Sequence, residues 1–215
     1  MHYFDIHTHR ATGNKEVLSI RSFSLTDEGV VLPDGDLIAV GLHPWYATLE
    51  KLEPDLQRLR LAARQKHVLM IGECGLDKVR GVPLSDQMMI LEKQIALAGE
   101  LGKPLILHCV RAFAELMAVK DRLKVSVPMV IHGFNKSEEL GRQLIDKGFI
   151  LSFGAAVLKA GSGAAALAQS TDDFFLETDD SDVAIEAIYE SVANLKKCYV
   201  EDLKARIFAS WKKLI

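Results

Sequence analysis

The 215-residue sequence has few cysteines and no excess of positive charge. Cys74, Cys109 and Cys198 occur singly, which argues against a disulfide framework and fits a reducing compartment. Acidic residues number 29 against 26 lysines and arginines, for a net charge of −3. This balance disfavours binding to nucleic acid by bulk electrostatics, although a local basic patch or a bound metal could still hold phosphate.

The sequence also lacks long apolar runs and the common phosphate-binding motifs. No run reaches about 18 apolar residues, so we expect no membrane span. The N-terminus has no signal-peptide features, and we expect a cytoplasmic protein. Neither G-x-G-x-x-G, nor a Walker A sequence, nor G-x-S-x-G occurs. A glycine-rich phosphate loop and a serine nucleophile elbow therefore have no support.

Short apolar runs alternate with amphipathic segments along the whole chain. Their continuous apolar character is typical of parallel strands buried on both faces. The alternation predicts an α/β fold, a compact (β/α)8 TIM barrel, and no boundary divides residues 1–215 into more than one domain. The predicted strands are Tyr3–Ile6, Val17–Phe23, Leu37–Gly41, Val68–Ile71, Pro104–Leu107, Pro128–Ile131, Phe149–Ser152 and Phe174–Leu176. The predicted helices are Leu49–Gln65, Ser85–Leu101, Ala112–Arg122, Ser137–Lys147, Val183–Lys197 and Val200–Leu214.

Polar residues follow the carboxyl ends of these predicted strands. In a parallel barrel all such ends lie on one rim, where active sites of this architecture are built. The set includes five of the seven histidines. Its members are His7, His9, His43, Glu73, His108, His132 and Asp179.

The first of these groups has a spacing suited to a metal ion. Asp5, His7 and His9 alternate along a strand, so their side chains point the same way. Two imidazoles that close together suit one divalent metal, and Asp5 could accept a ring N–H and fix a tautomer. The alternative is a chance His-x-His on an edge strand.

The remaining groups also have both a metal-binding and a structural interpretation. Glu73 follows a strongly apolar strand, where a buried carboxylate is costly without a cation, but it could equally cap a helix or lie in a turn. His108 and His132 end neighbouring strands and would converge, although a single histidine there is more often a hydrogen-bonded core residue. The segment from Glu177 to Asp180 could be a solvated acidic turn.

Seven motifs in order resemble the TatD family of metal-dependent hydrolases, the TatD-related deoxyribonucleases of the amidohydrolase-like superfamily. The resemblance spans residues 3 to 180. Its motifs are Asp5-Ile6-His7-Thr8-His9, Gly41-Leu42-His43-Pro44, Ile71-Gly72-Glu73-Cys74-Gly75-Leu76-Asp77, Gln87, Leu105-Ile106-Leu107-His108, Ile131-His132-Gly133-Phe134 and Leu176-Glu177-Thr178-Asp179.

The resemblance implies two divalent metal ions, Mg, Mn or Zn. It also implies that the protein is a deoxyribonuclease, which cleaves phosphodiester bonds by a metal-activated water. One ion would be held by His7, His9, Glu73 and Asp179, and the second by Glu73, His108 and His132, with Glu73 bridging. Asp179 would also act as general base. His43 and Arg111 would contact the substrate, which is DNA or a small phosphodiester; no membrane and no obligate protein partner are expected.

The sequence departs from the family pattern around this rim. Arg111 is displaced by one residue from the family position, and the loops after Asp179 and between His9 and His43 are short.

Two other functions stay open. The same metal pair could hydrolyse a small amide, ester or lactone, because fold does not decide among such chemistries. The chain could also be a non-catalytic regulator built on a degenerate barrel.

Overall fold

The computed structural model describes residues 1–26 and 29–215. All eight predicted strands are present. Five of them end later than predicted, and in three of these the extension includes His7, Glu73 or His108, which were predicted to follow a strand. The strands are β1 (Tyr3–Thr8), β2 (Val17–Ser24), β3 (Leu37–Gly41), β4 (Val68–Asp77), β5 (Leu105–Val110), β6 (Met129–Ile131), β7 (Ile150–Phe153) and β8 (Phe174–Leu176).

All six predicted helices are also present, and the segment rich in alanine and glycine after β7 forms a 3-10 turn, Ala155–Leu158, and a further helix. Within the described ranges, no helix separates β1 from β2, and none is long and apolar enough to cross a membrane. The helices are α1 (Leu52–Ala62), α2 (Leu84–Leu101), α3 (Phe113–Leu123), α4 (Glu138–Asp146), α5 (Gly163–Ser170), α6 (Ile185–Lys196) and α7 (Val200–Leu214).

Hydrogen bonds join the strands into one eight-stranded sheet in the order β1 to β8. The pairs whose register is known are parallel, as in Tyr3↔Val17 between β1 and β2. A parallel bridge also joins Thr8 to Asp179, just past the end of β8. Sequential parallel strands alternating with helices are the (β/α)8 barrel, which confirms the predicted fold class.

The chain divides into two compact units, one of residues 1–21 and 130–215 and the other of residues 22–129. In the first unit, aromatic rings pack around β1. The Phe4 ring lies 4.8 Å from that of Trp211 and 6.1 Å from that of Phe175. The buried hydroxyl of Tyr189 accepts from the backbone N–H of Phe4 at 3.1 Å and donates to its carbonyl at 2.9 Å, which ties α6 to β1. The prediction of a single domain over 1–215 stays a prediction.

In the second unit, β4 runs close beside β5 because two of its residues are glycines. A Cβ on Gly72 would lie 2.2 Å from the carbonyl oxygen of Ile106, and one on Gly75 would lie 1.9 Å from that of His108. Both glycines have positive φ, which other residues adopt only at a cost. The close approach places Glu73 and His108 on neighbouring strands of the same unit.

Candidate metal centre

Each of the two units contains a cluster of side chains of the types that ligate metals. The His7 cluster belongs to the first unit and consists of His7, His9, His132, Glu177 and Asp179. The His108 cluster belongs to the second unit and consists of His43, Glu73, Asp77 and His108.

In the His7 cluster, both histidines of the His-x-His motif face one carboxylate. Oδ1 of Asp179 lies 3.5 Å from Nε2 of His7 and 3.5 Å from Nε2 of His9. His7 is fully buried, whereas the other two side chains are about one-third exposed. The three residues can offer one ligand atom each within a span of 4.8 Å. The structure therefore brings together three of the four residues predicted to hold the first ion.

The backbone holds Asp179 in a conformation that few residues adopt. Its φ is +52°, in the left-handed region that aspartate tolerates better than most side chains. Its N–H donates to the carbonyl of His7 at 3.0 Å. Thr178, the preceding residue, donates both its N–H and its hydroxyl to the carboxylate of Asp5, at 3.1 and 2.6 Å. These bonds fix the carboxyl end of β8 against β1.

Burial raises the pKa of Asp5 to about 7, and the hydrogen bonds from Thr178 only partly oppose that rise. Beside the His7 cluster, the carboxyl group of Asp5 is therefore partly protonated near neutral pH. Its predicted bond to a ring N–H stays a prediction.

Glu177 also belongs to this cluster. The sequence interpretation placed it in a segment that could be an acidic turn and gave it no role as a ligand. It is fully buried. Oε1 accepts the N–H of Gly133 at 2.5 Å and lies 3.7 Å from Nδ1 of His132. Oε2 is buried and has no hydrogen-bond partner in the described part of the chain. A buried carboxylate oxygen of this kind is costly without a cation or a proton.

The His108 cluster is centred on one oxygen of Glu73. Oε1 of Glu73 lies 3.0 Å from Nε2 of His43 and 3.0 Å from Nδ1 of His108. All three side chains are buried. The N–H of Glu73 also donates to the hydroxyl of Ser22 at 3.1 Å, which holds its backbone. Glu73 is therefore neither an exposed turn residue nor a helix cap.

The surroundings of His43 assign its tautomer. Nδ1 accepts the backbone N–H of Trp45 at 3.2 Å, so a neutral ring carries its proton on Nε2 and donates it to Glu73. The expected turn before Pro44 is therefore present, and His43 also contacts a predicted metal ligand. Its contact with substrate stays a prediction.

Asp77 is the second residue that the sequence interpretation did not assign. Its Oδ2 lies 3.0 Å from Nε2 of His108 and accepts the indole N–H of Trp45 at 2.6 Å. Burial alone would raise the pKa of Asp77, but hydrogen bonds from Trp45 and His108 hold it below its ordinary value. Its place at the end of the Gly-Glu-Cys-Gly-Leu-Asp motif was the available signal.

The donor atoms fit divalent metal ions. If Asp77 accepts the proton of His108 Nε2, then Nδ1 of His108 and Oε1 of Glu73 face each other with lone pairs at 3.0 Å. A divalent cation, or a proton, would satisfy both atoms. Imidazole with carboxylate is a ligand set that suits Zn and Mn as well as Mg. Glu177, with its partnerless buried oxygen, provides a further donor in the other unit.

Arg111 lies at the start of the segment after β5, with a φ of +57°, and is exposed. Within residues 1–26 and 29–215, its side chain forms no hydrogen bond or ion pair with either cluster, and its role toward substrate stays a prediction. Two other cationic side chains form ion pairs, Arg10 with Asp182 and Lys78 with Glu115.

Several known proteins resemble this chain. A protein of Haemophilus influenzae named as an uncharacterized metal-dependent hydrolase is 25% identical over 95% of this chain and 90% of its own length. The 3'-5' ssDNA/RNA exonuclease TatD of Cronobacter sakazakii is 34% identical over 55% of this chain, a match that spans 45% of the exonuclease.

The fold also matches solved structures. The crystal structure of YJJV, a TatD homologue from Escherichia coli K12, aligns with a TM-score of 0.80 over 99% of this chain and 97% of that chain, at 19% identity. This likeness concerns the fold. The family model described as TatD related DNase matches residues 28–214. The chain therefore belongs to the TatD family of DNase-related proteins.

Proposed function

We propose that this chain is a divalent-metal-dependent hydrolase that cleaves phosphodiester bonds of single-stranded DNA or RNA. The observation that carries the proposal is the pair of ligand groups, His7 with His9 and Asp179, and Glu73 with His108. The name of the Cronobacter exonuclease supports the substrate class. A cytoplasmic location stays a prediction from the sequence.

Each cluster would hold one divalent ion, Mg, Mn or Zn. His7, His9 and Asp179 would hold one, and Glu73 with His108 would hold the other. The bridging role of Glu73 and the ligation of the second ion by His132 are predictions from the family resemblance. When bound, such ions polarise a phosphoryl oxygen and lower the pKa of water into the neutral range.

The residues of the chain would supply positioning and proton transfer. Asp179, whose side chain is about one-third exposed, would accept the proton of the attacking water. Asp77 would hold the ring of His108, and His43 would hold Oε1 of Glu73 through its Nε2–H. Such partners keep ligands in place when the substrate enters.

The charge of the chain favours a short or end-bound substrate. With a net charge of −3, long duplex tracts would gain little from bulk attraction. Binding would then depend on the metals and on a few local cations. Footprinting that shows a long, strongly salt-dependent duplex site would contradict this part of the proposal.

The test is restoration of activity by metal. The full chain is stripped with a chelator, reloaded separately with Mg, Mn and Zn, and assayed on single-stranded DNA and RNA oligonucleotides. We expect cleavage in at least one metal, and its loss in His7→Ala and in Glu73→Ala. Lys213→Ala, an exposed lysine of α7, is the matched control and retains activity.

Bound metal without cleavage of any phosphodiester would overturn the substrate class. Hydrolysis of carboxyl esters, amides or lactones by that loaded protein would then favour the small-molecule hydrolase, and the absence of any turnover would favour a regulator. Full activity in His7→Ala would remove the His7 cluster from the mechanism.

A further inference from the structure

An exposed aromatic and cationic surface lies beside the His108 cluster in the second unit. Its members, defined here as the Trp45 platform, are Trp45, Tyr46 and Arg80. The Trp45 ring lies 5.4 Å from the ring of His108 and 4.9 Å from that of His43. The Tyr46 ring is 5.5 Å from that of His43, yet the residue is 54% exposed. An exposed large aromatic side chain beside metal-ligating residues is placed to meet a substrate.

Arg80 contributes a positive charge that is not neutralised. Its guanidinium lies 4.0 Å from the centre of the Trp45 ring and 5.8 Å from that of Tyr46. Stacking of this kind holds the guanidinium plane by cation–π attraction. Lys78 nearby is paired with Glu115 at 2.5 Å. Among the described residues, Arg80 has no such acidic partner, so its charge is available to a phosphate.

Hydrogen bonds hold the loop of Arg80 in this position. Oδ1 of Asp77 accepts the N–H groups of Val79 and Arg80 at 2.7 and 3.1 Å. The side chain of Gln87 donates to the carbonyls of Arg80 and Val82 at 3.1 and 2.8 Å. Asp77 also accepts from Trp45, so one carboxylate fixes both parts of the platform. A surface arranged before binding loses less entropy when the ligand arrives.

We propose that the Trp45 platform binds an unpaired nucleotide of a single-stranded substrate, with the base stacked on Tyr46 and a phosphate at Arg80. The planes of the Tyr46 and Trp45 rings are nearly perpendicular, at 80°. The two rings and the Arg80 guanidinium therefore border one recess. Stacking on aromatic rings with Arg contacts is how single-stranded nucleic acid is commonly held. Duplex bases are already stacked and paired, so the platform would select unpaired ends. This inference rests on the proposed function.

The test compares two single strands that differ only in their bases. One is a five-nucleotide thymidine strand with phosphorothioate links. The other has the same phosphorothioate links, but a tetrahydrofuran unit that carries no base replaces every nucleoside. Binding of each to the full chain in Mn²⁺ is measured by fluorescence anisotropy. We expect wild type to bind the thymidine strand about tenfold tighter, the value typical of one stacked base.

The variants separate the two contacts. Tyr46→Leu should reduce the preference to less than about threefold, whereas Tyr46→Phe, which keeps the ring, should retain it. Arg80→Gln should weaken both strands alike and lower the slope of log affinity against log salt by about 0.7. Arg64→Gln is the matched control, because Arg64 is exposed and pairs with Glu100. It should change neither strand.

Three results would overturn the platform. The wild-type chain could bind the two strands equally or bind neither of them, or Tyr46→Leu could leave the preference unchanged. Cleavage of the ordinary phosphodiester strand is measured in parallel. Cleavage without base preference refutes the platform alone, whereas base preference without cleavage in any metal refutes the proposed hydrolysis alone.

Discussion

Asp77 and His108 share a hydrogen bond of 3.0 Å between Oδ2 and Nε2, and the indole N–H of Trp45 donates to the same carboxylate oxygen at 2.6 Å. Because Asp77 accepts from the far nitrogen of the ring, it directs Nδ1 of His108 toward Glu73. A carboxylate behind a metal-ligating histidine commonly sets its tautomer in this way. We therefore expect Asp77 to position the ring of His108 for metal binding.

Asp77→Asn should weaken metal binding. The amide nitrogen would donate to Nε2 of His108, which favours the wrong tautomer of the ring, and it would also face the indole N–H of Trp45, which cannot accept a hydrogen bond. The amide oxygen would still accept from the loop N–H groups. We expect a loss of about 10- to 100-fold in Zn²⁺ or Mn²⁺ affinity, measured by competition with a chelating dye. Glu115→Gln, which alters the carboxylate paired with Lys78, should leave the affinity unchanged. Affinity within twofold of wild type in Asp77→Asn would remove Asp77 from this role.

Asp179→Asn should reduce turnover by about 10²- to 10⁴-fold, because the amide cannot accept the proton of the attacking water. The side chain is about one-third exposed, so the thermal unfolding midpoint should stay close to that of wild type. Single-turnover cleavage of single-stranded DNA measures the effect. Asp180→Asn, the exposed neighbour, is the control and should be fully active. Full metal-dependent activity in Asp179→Asn would exclude Asp179 as the base.

Two of the three thiols should resist modification. Burial raises the pKa of Cys109 to about 12 and also raises that of Cys74, which is fully buried. At pH 8 only about one Cys109 side chain in 10⁴ would be a thiolate, the form that reacts. We expect neither residue to be labelled by a disulfide reagent in the native protein within minutes, and both to react after unfolding. Rapid labelling of Cys109 in the folded chain, located by peptide mass mapping, would contradict the account.

Tyr189→Phe should destabilise the first unit without affecting the metal ligands directly. The substitution removes the hydroxyl that bonds both backbone groups of Phe4, leaving them buried and without those partners. The expected loss is about 1–3 kcal/mol in the free energy of unfolding, measured by urea denaturation. Tyr199→Phe, at a residue that is 82% exposed, should change it by less than about 0.5 kcal/mol. Equal stability of the two variants would show that the Phe4 bonds contribute little.

The sequence allowed prediction of the fold because its signals are local. Apolar runs marked all eight strands, and the helix predicted from Ser137 matches α4, which the Ser137 hydroxyl caps by accepting the N–H of Leu140 at 3.3 Å. The end of β4 was predicted six residues early, at Ile71. Gly72 and Gly75 interrupt the apolar run, and only the close approach of β5 shows that these glycines serve a continuous strand.

Local patterns also indicated candidate ligands, whose assignment stays a prediction, but they did not indicate the partners of those residues. His7, His9 and Glu73 stand out by spacing and by their place at strand ends. Glu177 lies two residues before Asp179, and Asp77 lies two residues after Gly75, in stretches whose composition is also typical of a turn. Their roles depend on burial and on contacts with Gly133 and Trp45, which are distant in sequence. No local pattern carries that information.

The most direct test of the central claim is metal stoichiometry. Chelator-treated full chain is titrated with Zn²⁺ in a calorimeter, in wild type, His7→Ala and His108→Ala. The account predicts two ions per wild-type chain, with one ion lost or weakened at least tenfold in each variant, because it proposes one ion for each cluster. Two results would contradict the assignment of these clusters as the metal centre. The folded wild-type protein could fail to bind Zn²⁺ stoichiometrically, or both variants could bind two ions with unchanged affinity.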